Sequence, residues 1–275
     1  MKTMDATLSA GKCKLNEGRE AEIYDWGNGT VLRLYRSTSA ESEAYRQQEI
    51  LRELTALGVR VPRVDEIVNV EGRPGIVMER LAGPDLLTDL SRRPWRVLQV
   101  GGLSGRLHVR LNNTVAPAVL PSLQDFLKQR ILGSPEIPDQ FGEIALNALS
   151  RLPDSDRLCH LDFHPANILT NDGESVVIDW SIACRGAPEA DFAQTQLIIS
   201  LGEPPPGAPP HLKFLALVGR RLLLGAYRRA YRRAAQVDEN LLSQWHLPLA
   251  VCRLAAGIRE ERPRLIKHVE NLIRG

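Results

Sequence analysis

The chain has 275 residues, of which 43% are hydrophobic and 25% charged, the make-up of a soluble globular protein with room for one large or two modest domains. No apolar run is long enough to span a bilayer, and the opening MKTMDATLSAGK lacks the apolar centre of a secretory signal, so a cytoplasmic location without a membrane partner is expected. Cys13, Cys159, Cys184 and Cys252 are scattered with no CxxC pair, so neither a disulfide framework nor a thiolate metal site is indicated, and the net charge of +2 is uneven, with −1 over residues 1–83, −4 over 84–191 and +7 over 192–275.

Residues 12–36 read as a β meander, with strands over 21–26 and 30–35 joined at Gly27-Asn28-Gly29, residue types that accept the positive φ of a tight turn. Alternation along 30–35 puts Val31, Arg33 and Tyr35 on one face and Leu32 and Leu34 on the other. A helix is predicted over 39–57, where Ile50, Leu51, Leu54 and Leu57 recur at helical spacing. Extended segments begin at residues 61 and 74 and are joined through Glu71-Gly72-Arg73. From Met78 to Pro84 the pattern breaks as a hinge would, which divides the chain into domains 1–83 and 84–275. Helices follow over 97–111, 123–132 and 141–149, and Pro188 with Asp191 marks another helix start. The proline-rich stretch 204–210 is an irregular, stiff connector. Helix 213–235 sets Arg220, Arg221, Arg228, Arg229, Arg232 and Arg233 beside Tyr227 and Tyr231, which raises nucleic-acid or membrane binding. Yet Leu223, Ala226, Tyr227, Ala230, Tyr231 and Ala234 trace an inward stripe, so the arginines are expected in solvent and no nucleic-acid partner is expected. Helices over 239–256 and 262–273 complete the chain.

The most informative stretch is 158–180, LCHLDFHPANILTNDGESVVIDW. Asn171-Asp172-Gly173 is a hairpin signal, and the apolar residues beside it, Ile168-Leu169 and Val176-Val177-Ile178, read as paired strands. Folding the chain back there brings Asn167 toward Asp179, while Pro165 keeps Asp162 in a loop. Oxygens from Asn167 and Asp179 suit Mg2+, which takes one or two protein ligands and fills its other positions with water and phosphate. Asp162 is left free to accept a proton from an attacking hydroxyl, the division of labour of phosphoryl transfer. A zinc hydrolase built on His160, Asp162 and His164 would leave Asn167 and Asp179 unexplained.

His160-Leu-Asp162-Phe-His164-Pro165-Ala-Asn167, followed by Val177-Ile-Asp179-Trp180, resembles the catalytic and metal loops of the aminoglycoside phosphotransferase family, relatives of protein kinases. The resemblance implies an α+β, two-lobed protein-kinase-like fold, with a small antiparallel-sheet N-lobe and a mostly helical C-lobe. It implies ATP or GTP and Mg2+ as cofactors and a small hydroxylated acceptor, an aminoglycoside or other antibiotic, with a small-metabolite kinase or a catalytically dead binding module as alternatives. Asp162 would be catalytic, Asn167 and Asp179 metal ligands, and His160 and Asp191 supports of the catalytic loop. Met78 and the backbone of Glu79 and Leu81 would hold the adenine. Arg33 stands where the family carries a phosphate-binding Lys, a departure, and Glu43 or Glu49 would pair with it. The stretch 16–20 lies where a phosphate loop is expected but has a single Gly. Aminoglycosides are polycations that call for carboxylates, of which the basic last third offers few.

Overall fold

A computed structural model describes residues 4–6, 13–18, 20–171, 173–201 and 210–274. Arg19 of the stretch 16–20, Asp172 of the hairpin turn and the prolines before residue 210 lie outside the described residues.

The first elements are strands β1 (Met4–Ala6), β2 (Lys14–Glu17), β3 (Ala21–Gly27) and β4 (Thr30–Tyr35), helix α1 (Glu41–Ala56), and strands β5 (Val64–Val70) and β6 (Arg73–Glu79). Helices α2 (Leu86–Arg92), α3 (Val97–Asn112), α4 (Leu123–Gly133) and α5 (Asp139–Leu149) follow, then strands β7 (Arg157–Cys159), β8 (Ile168–Asn171), β9 (Glu174–Val177) and β10 (Cys184–Gly186). The chain ends with α6 (Pro188–Leu201), α7 (Pro210–Ala234), α8 (Glu239–Leu254) and α9 (Arg262–Arg274). Among the described residues no helix is long and apolar enough to cross a membrane.

Two compact units emerge, the first made of Met1–Pro84 with Ile168–Ser181, the second of Asp85–Asn167 with Ile182–Gly275. In the first, six strands lie in the order β1-β5-β6-β4-β3-β2, antiparallel throughout except that β1 runs parallel to β5. The alternation in β4 has its expected effect. Leu32 and Leu34 join Val68, Val70 and Val77 on one face, and Tyr35 joins Ala44 of α1, Ile67, Ile76 and Met78 on the other. Turns open where positive φ is tolerated, at Asn28 and Gly29 and at Glu71 and Gly72. Helix α1 is shorter than its apolar pattern, since Leu57 lies past the last turn and is exposed. The same unit draws in a hairpin from far along the chain, with Ile168 opposite Val177 and Asn171 opposite Glu174. It is fastened by the Thr170 amide donating to the Pro84 carbonyl at 3.2 Å, by Arg46 donating to the Ser181 carbonyl at 2.6 Å, and by Gly83, where any Cβ would collide with the Thr170 carbonyl.

The second unit is helical around the short pair β7–β10, which places Cys159 opposite Cys184. Three-residue strands carry too little periodicity to be read from sequence. Its tightest helix contact is between α3 and α7, where a Cβ at Gly101 or Gly105 would sit 2.6 Å from the carbonyl of Leu223 or Tyr227. The inward stripe predicted on α7 is present, with Leu223, Tyr227 and Tyr231 buried and Arg229, Arg232 and Arg233 exposed.

Candidate active site

The loop between β7 and β8 begins with an unfavourable backbone. Leu161 has φ of 62°, a left-handed conformation that costs a residue with a side chain on the order of 1–3 kcal/mol and must be held by its surroundings. The holding group is Asp191, fully buried in the first turn of α6. Its carboxylate accepts from the amides of His160 at 2.7 Å and Leu161 at 2.8 Å, and from Asn112 Nδ2 at 2.9 Å, and it meets His108 Nε2 at 2.8 Å. Burial by itself would raise this carboxyl, but His108, His160 and the amide hydrogen bond outweigh it and pull it down to about 2. His160 is also buried and its Nδ1 accepts from the Asp162 amide at 3.2 Å.

The loop thus presents Asp162 with its side chain one third exposed. Asn167 Nδ2 donates to the Asp162 carbonyl at 2.9 Å and to Oδ2 at 3.1 Å, and His164 Nε2 lies 3.7 Å from Oδ2. Oδ1 receives no hydrogen bond from the described residues and is the oxygen able to take a proton. Burial pushes the Asp162 carboxyl up, while His164, His160 and Arg253 pull it further down, so that it sits below the usual Asp value. His164 Nδ1 accepts from the Ala166 amide at 3.3 Å, so this nitrogen and His160 Nδ1 are both engaged with backbone and unavailable to a zinc ion.

Behind Asp191 lies a polar layer that the sequence reading did not assign. His108 Nδ1 meets the Tyr227 hydroxyl at 2.7 Å, and the Tyr231 hydroxyl donates to Asn112 Oδ1 at 2.7 Å. His108 stacks on Phe163, with ring centroids 4.1 Å apart. His108 is therefore a member of the loop's support. Ser104, His108 and Asn112, all buried on α3, stand four residues apart, and that polar stripe within an otherwise apolar buried face is the signal that would have found it.

In the sheet unit, Arg33 and Asp179 meet. Arg33 Nη1 lies 3.5 Å from Asp179 Oδ1, and the guanidinium sits 5.6 Å from the centroid of Tyr35. The expectation that Glu43 or Glu49 would pair with Arg33 is corrected. Glu43 is bound bidentately by Arg46 at 3.0 Å, and Glu49 is exposed. The inward position of the helix carries an amide instead, Gln47, whose Oε1 is buried without a hydrogen-bond partner. Asp179 has φ of 61°, and its Oδ1 is buried with no hydrogen-bond donor. The Arg33 charge lies near it without donating a hydrogen bond, and a buried carboxylate oxygen left without a donor costs about 1–3 kcal/mol. Asp179 in the sheet unit and the amide oxygen of Asn167 in the helical unit, whose nitrogen is turned to Asp162, are each hard-oxygen donors of the kind Mg2+ takes.

At the hinge, Met78 is buried, the Glu79 carboxylate is held by Arg60 at 2.9 Å, and the Glu79 amide donates to the Arg63 carbonyl at 2.8 Å. The Leu81 amide donates to no described residue and remains open to a ligand. In the stretch 16–20 the Gly18 amide donates to the Ala21 carbonyl at 2.8 Å, a backbone bond between the end of β2 and the start of β3.

Comparison with known proteins gives one family and one fold. The model of the phosphotransferase enzyme family matches residues 14–232. A comparison with curated proteins found no match. Among solved structures, a thermostable mutant of aminoglycoside phosphotransferase APH(4)-Ia in its apo form is similar, at 18% identity over 96% of this chain and 94% of that one, with a TM-score of 0.65. That protein has also been crystallised with ADP and hygromycin B. The amicoumacin kinase hAmiN, in complex with AMP-PNP, Ca2+ and its antibiotic, is similar at 14% identity over 98% and 90% of the two chains, with a TM-score of 0.62. An aminoglycoside-3'-phosphotransferase of type VIII shares 22% identity over 88% of this chain and 93% of its own, with a TM-score of 0.59. The architecture common to all of them is the α+β protein-kinase-like fold, a small sheet unit and a larger helical one.

Proposed function

Because the chain belongs to the phosphotransferase enzyme family, we propose that it moves the γ-phosphate of ATP, or of GTP, to a hydroxyl of a small molecule. The observation that carries the proposal is the Asp162 carboxylate, oriented by Asn167 through Oδ2 and open at Oδ1, on a strained loop that Asp191 holds in place.

The roles follow from the chemistry of each group. Asp162 Oδ1 orients the acceptor hydroxyl and takes its proton. The acceptor oxygen then bonds to the γ-phosphorus as the bond from that phosphorus to the bridging oxygen breaks, and the electron pair leaves with the nucleoside diphosphate. Arg33 supplies positive charge for the α- and β-phosphates. Asn167 Oδ1 and Asp179 would hold Mg2+, which when bound neutralises charge on the phosphate oxygens. The apolar side of Met78, the Glu79 backbone and the open Leu81 amide line the adenine. The free cysteines suit a cytoplasmic setting in which thiols stay reduced.

Calorimetric titration with ATP and with GTP, each with and without Mg2+, tests this reading. Metal-dependent binding that persists in Asp162→Asn, with phosphate transfer lost, is the expected result. Arg33 without a helix Glu partner favours one competing reading, a non-catalytic binding module. Folded protein that binds neither nucleotide would decide for that module.

A further inference from the structure

We propose, building on the phosphotransferase reading, that the acceptor is a hydroxylated molecule with an apolar body and an anionic group, not a polycation. A cavity of about 70 Å3, room for one end of such a molecule and not for the whole of it, lies wholly within the helical unit. Its wall includes Leu161, the residue before Asp162. The cavity therefore adjoins the group that would take the acceptor's proton.

The lining has a definite chemistry. Phe126, Ile182 and Leu249 give it an apolar surface, and no carboxylate lines it. Two guanidiniums do. Arg253 is neutralised by Glu261, which takes Nε at 2.8 Å and Nη2 at 2.9 Å. Arg130 makes no ion pair among the described residues and lies over the Phe126 ring, 5.5 Å from its centroid, so its charge is uncompensated. A third polar group, Gln194 of α6, is 8% exposed and its Oε1 is buried without a hydrogen-bond partner. An unpaired amide oxygen on the wall of a cavity is a place for a ligand hydroxyl or N–H. A free guanidinium on the same wall is a place for a carboxylate or phosphate, which it binds through a planar fork. A polycation brought here would meet Arg130 and find no carboxylate on the wall to receive it.

A matched pair of probes isolates the sign of the charge. 4-(Hydroxymethyl)benzoate and 4-(hydroxymethyl)benzylamine share ring and hydroxyl and differ in the group opposite. Titrated into the full chain, the carboxylate should bind about tenfold or more tightly than the amine. Arg130→Gln should erase that preference and Arg130→Glu reverse it, with circular dichroism showing that both variants fold. The proposal is overturned if the amine binds as well as the carboxylate, if neither binds in the millimolar range, or if Arg130→Gln leaves the preference intact. A parallel titration of each protein with ATP and Mg2+ separates the two readings. Nucleotide binding without a carboxylate preference removes the acceptor class and leaves the phosphotransferase. A carboxylate preference without nucleotide binding keeps the pocket and removes the phosphotransferase.

Discussion

Two acidic groups, Asp191 of the helical unit and Asp179 of the sheet unit, are treated in opposite ways by the chain around them. Asp191 is fully buried and fully used, with three donors and His108 converging on its carboxylate at 2.7–2.9 Å. Asp179 sits on a strained backbone with one oxygen buried and undonated, and its nearest cation is Arg33 at 3.5 Å. Both have the same side chain, so the difference lies in what each is for. A carboxylate whose hydrogen bonds are all made by protein stabilises the fold, whereas one left short of donors is available to a ligand.

The strongest test is to remove Asp179. Asp179→Ala should lower turnover at least about 10³-fold, on the order of 4 kcal/mol of transition-state stabilisation, while leaving thermal stability unchanged or slightly raised. A drop in melting temperature with turnover retained would mean that Asp179, too, is structural. Asp191→Ala should act the other way. Removing a buried carboxylate that strands three donors is expected to cost about 3 kcal/mol or more, seen as a lower urea midpoint, with activity lost through the loop. A smaller effect comes from pH. The Asp191 carboxyl is depressed from 3.8 to about 2 by folding, so it stabilises the protein above pH 4 and loses that contribution as the pH falls toward 2. The amount is about 2 kcal/mol. Acid titration of unfolding should show Asp191→Asn lacking this component, and coincident acid profiles for the two proteins would break the assignment.

What the sequence made legible follows from the range over which its signals act. The hairpin of β8 and β9 could be read because Gly173 and the apolar residues beside it are local, and its ladder pairs Ile168 with Val177. Helix α1 could be placed from its apolar spacing, although Leu57 overstates its length because periodicity does not register where the last turn ends. The support of the loop was only half visible. Asp191 could be named from family resemblance, but its partners His108 and Asn112 come from a helix some eighty residues earlier, and the polar stripe they form there marks a buried face without telling which carboxylate it meets. Gly101 and Gly105 are similar, since glycines inside a helix read as weak points until the α7 backbone is found against them. The partner of Arg33 was misjudged for a different reason. Helical spacing picks out the inward side of α1 and gives that side weight over the local i,i+3 pair in which Arg46 takes Glu43.

Arg33→Lys should give the smallest effect of these changes and sharpens the comparison most. The guanidinium now has two contacts, the Asp179 oxygen at 3.5 Å and the face of Tyr35 at 5.6 Å. A lysine keeps the charge as a point source and weakens the second contact, a loss of about 0.5–1 kcal/mol. Nucleotide KM should rise by less than about tenfold, with kcat within a few-fold, because charge toward the phosphates is retained. Arg33→Met, of similar reach but uncharged, should lose considerably more in kcat/KM than the lysine variant. If lysine and methionine are equally damaging, the planar fork itself is required, and Arg33 is then a specific adaptation of this chain instead of a substitute for lysine. If both are harmless, Arg33 serves only to hold Asp179, and the charge on the phosphates must be met elsewhere.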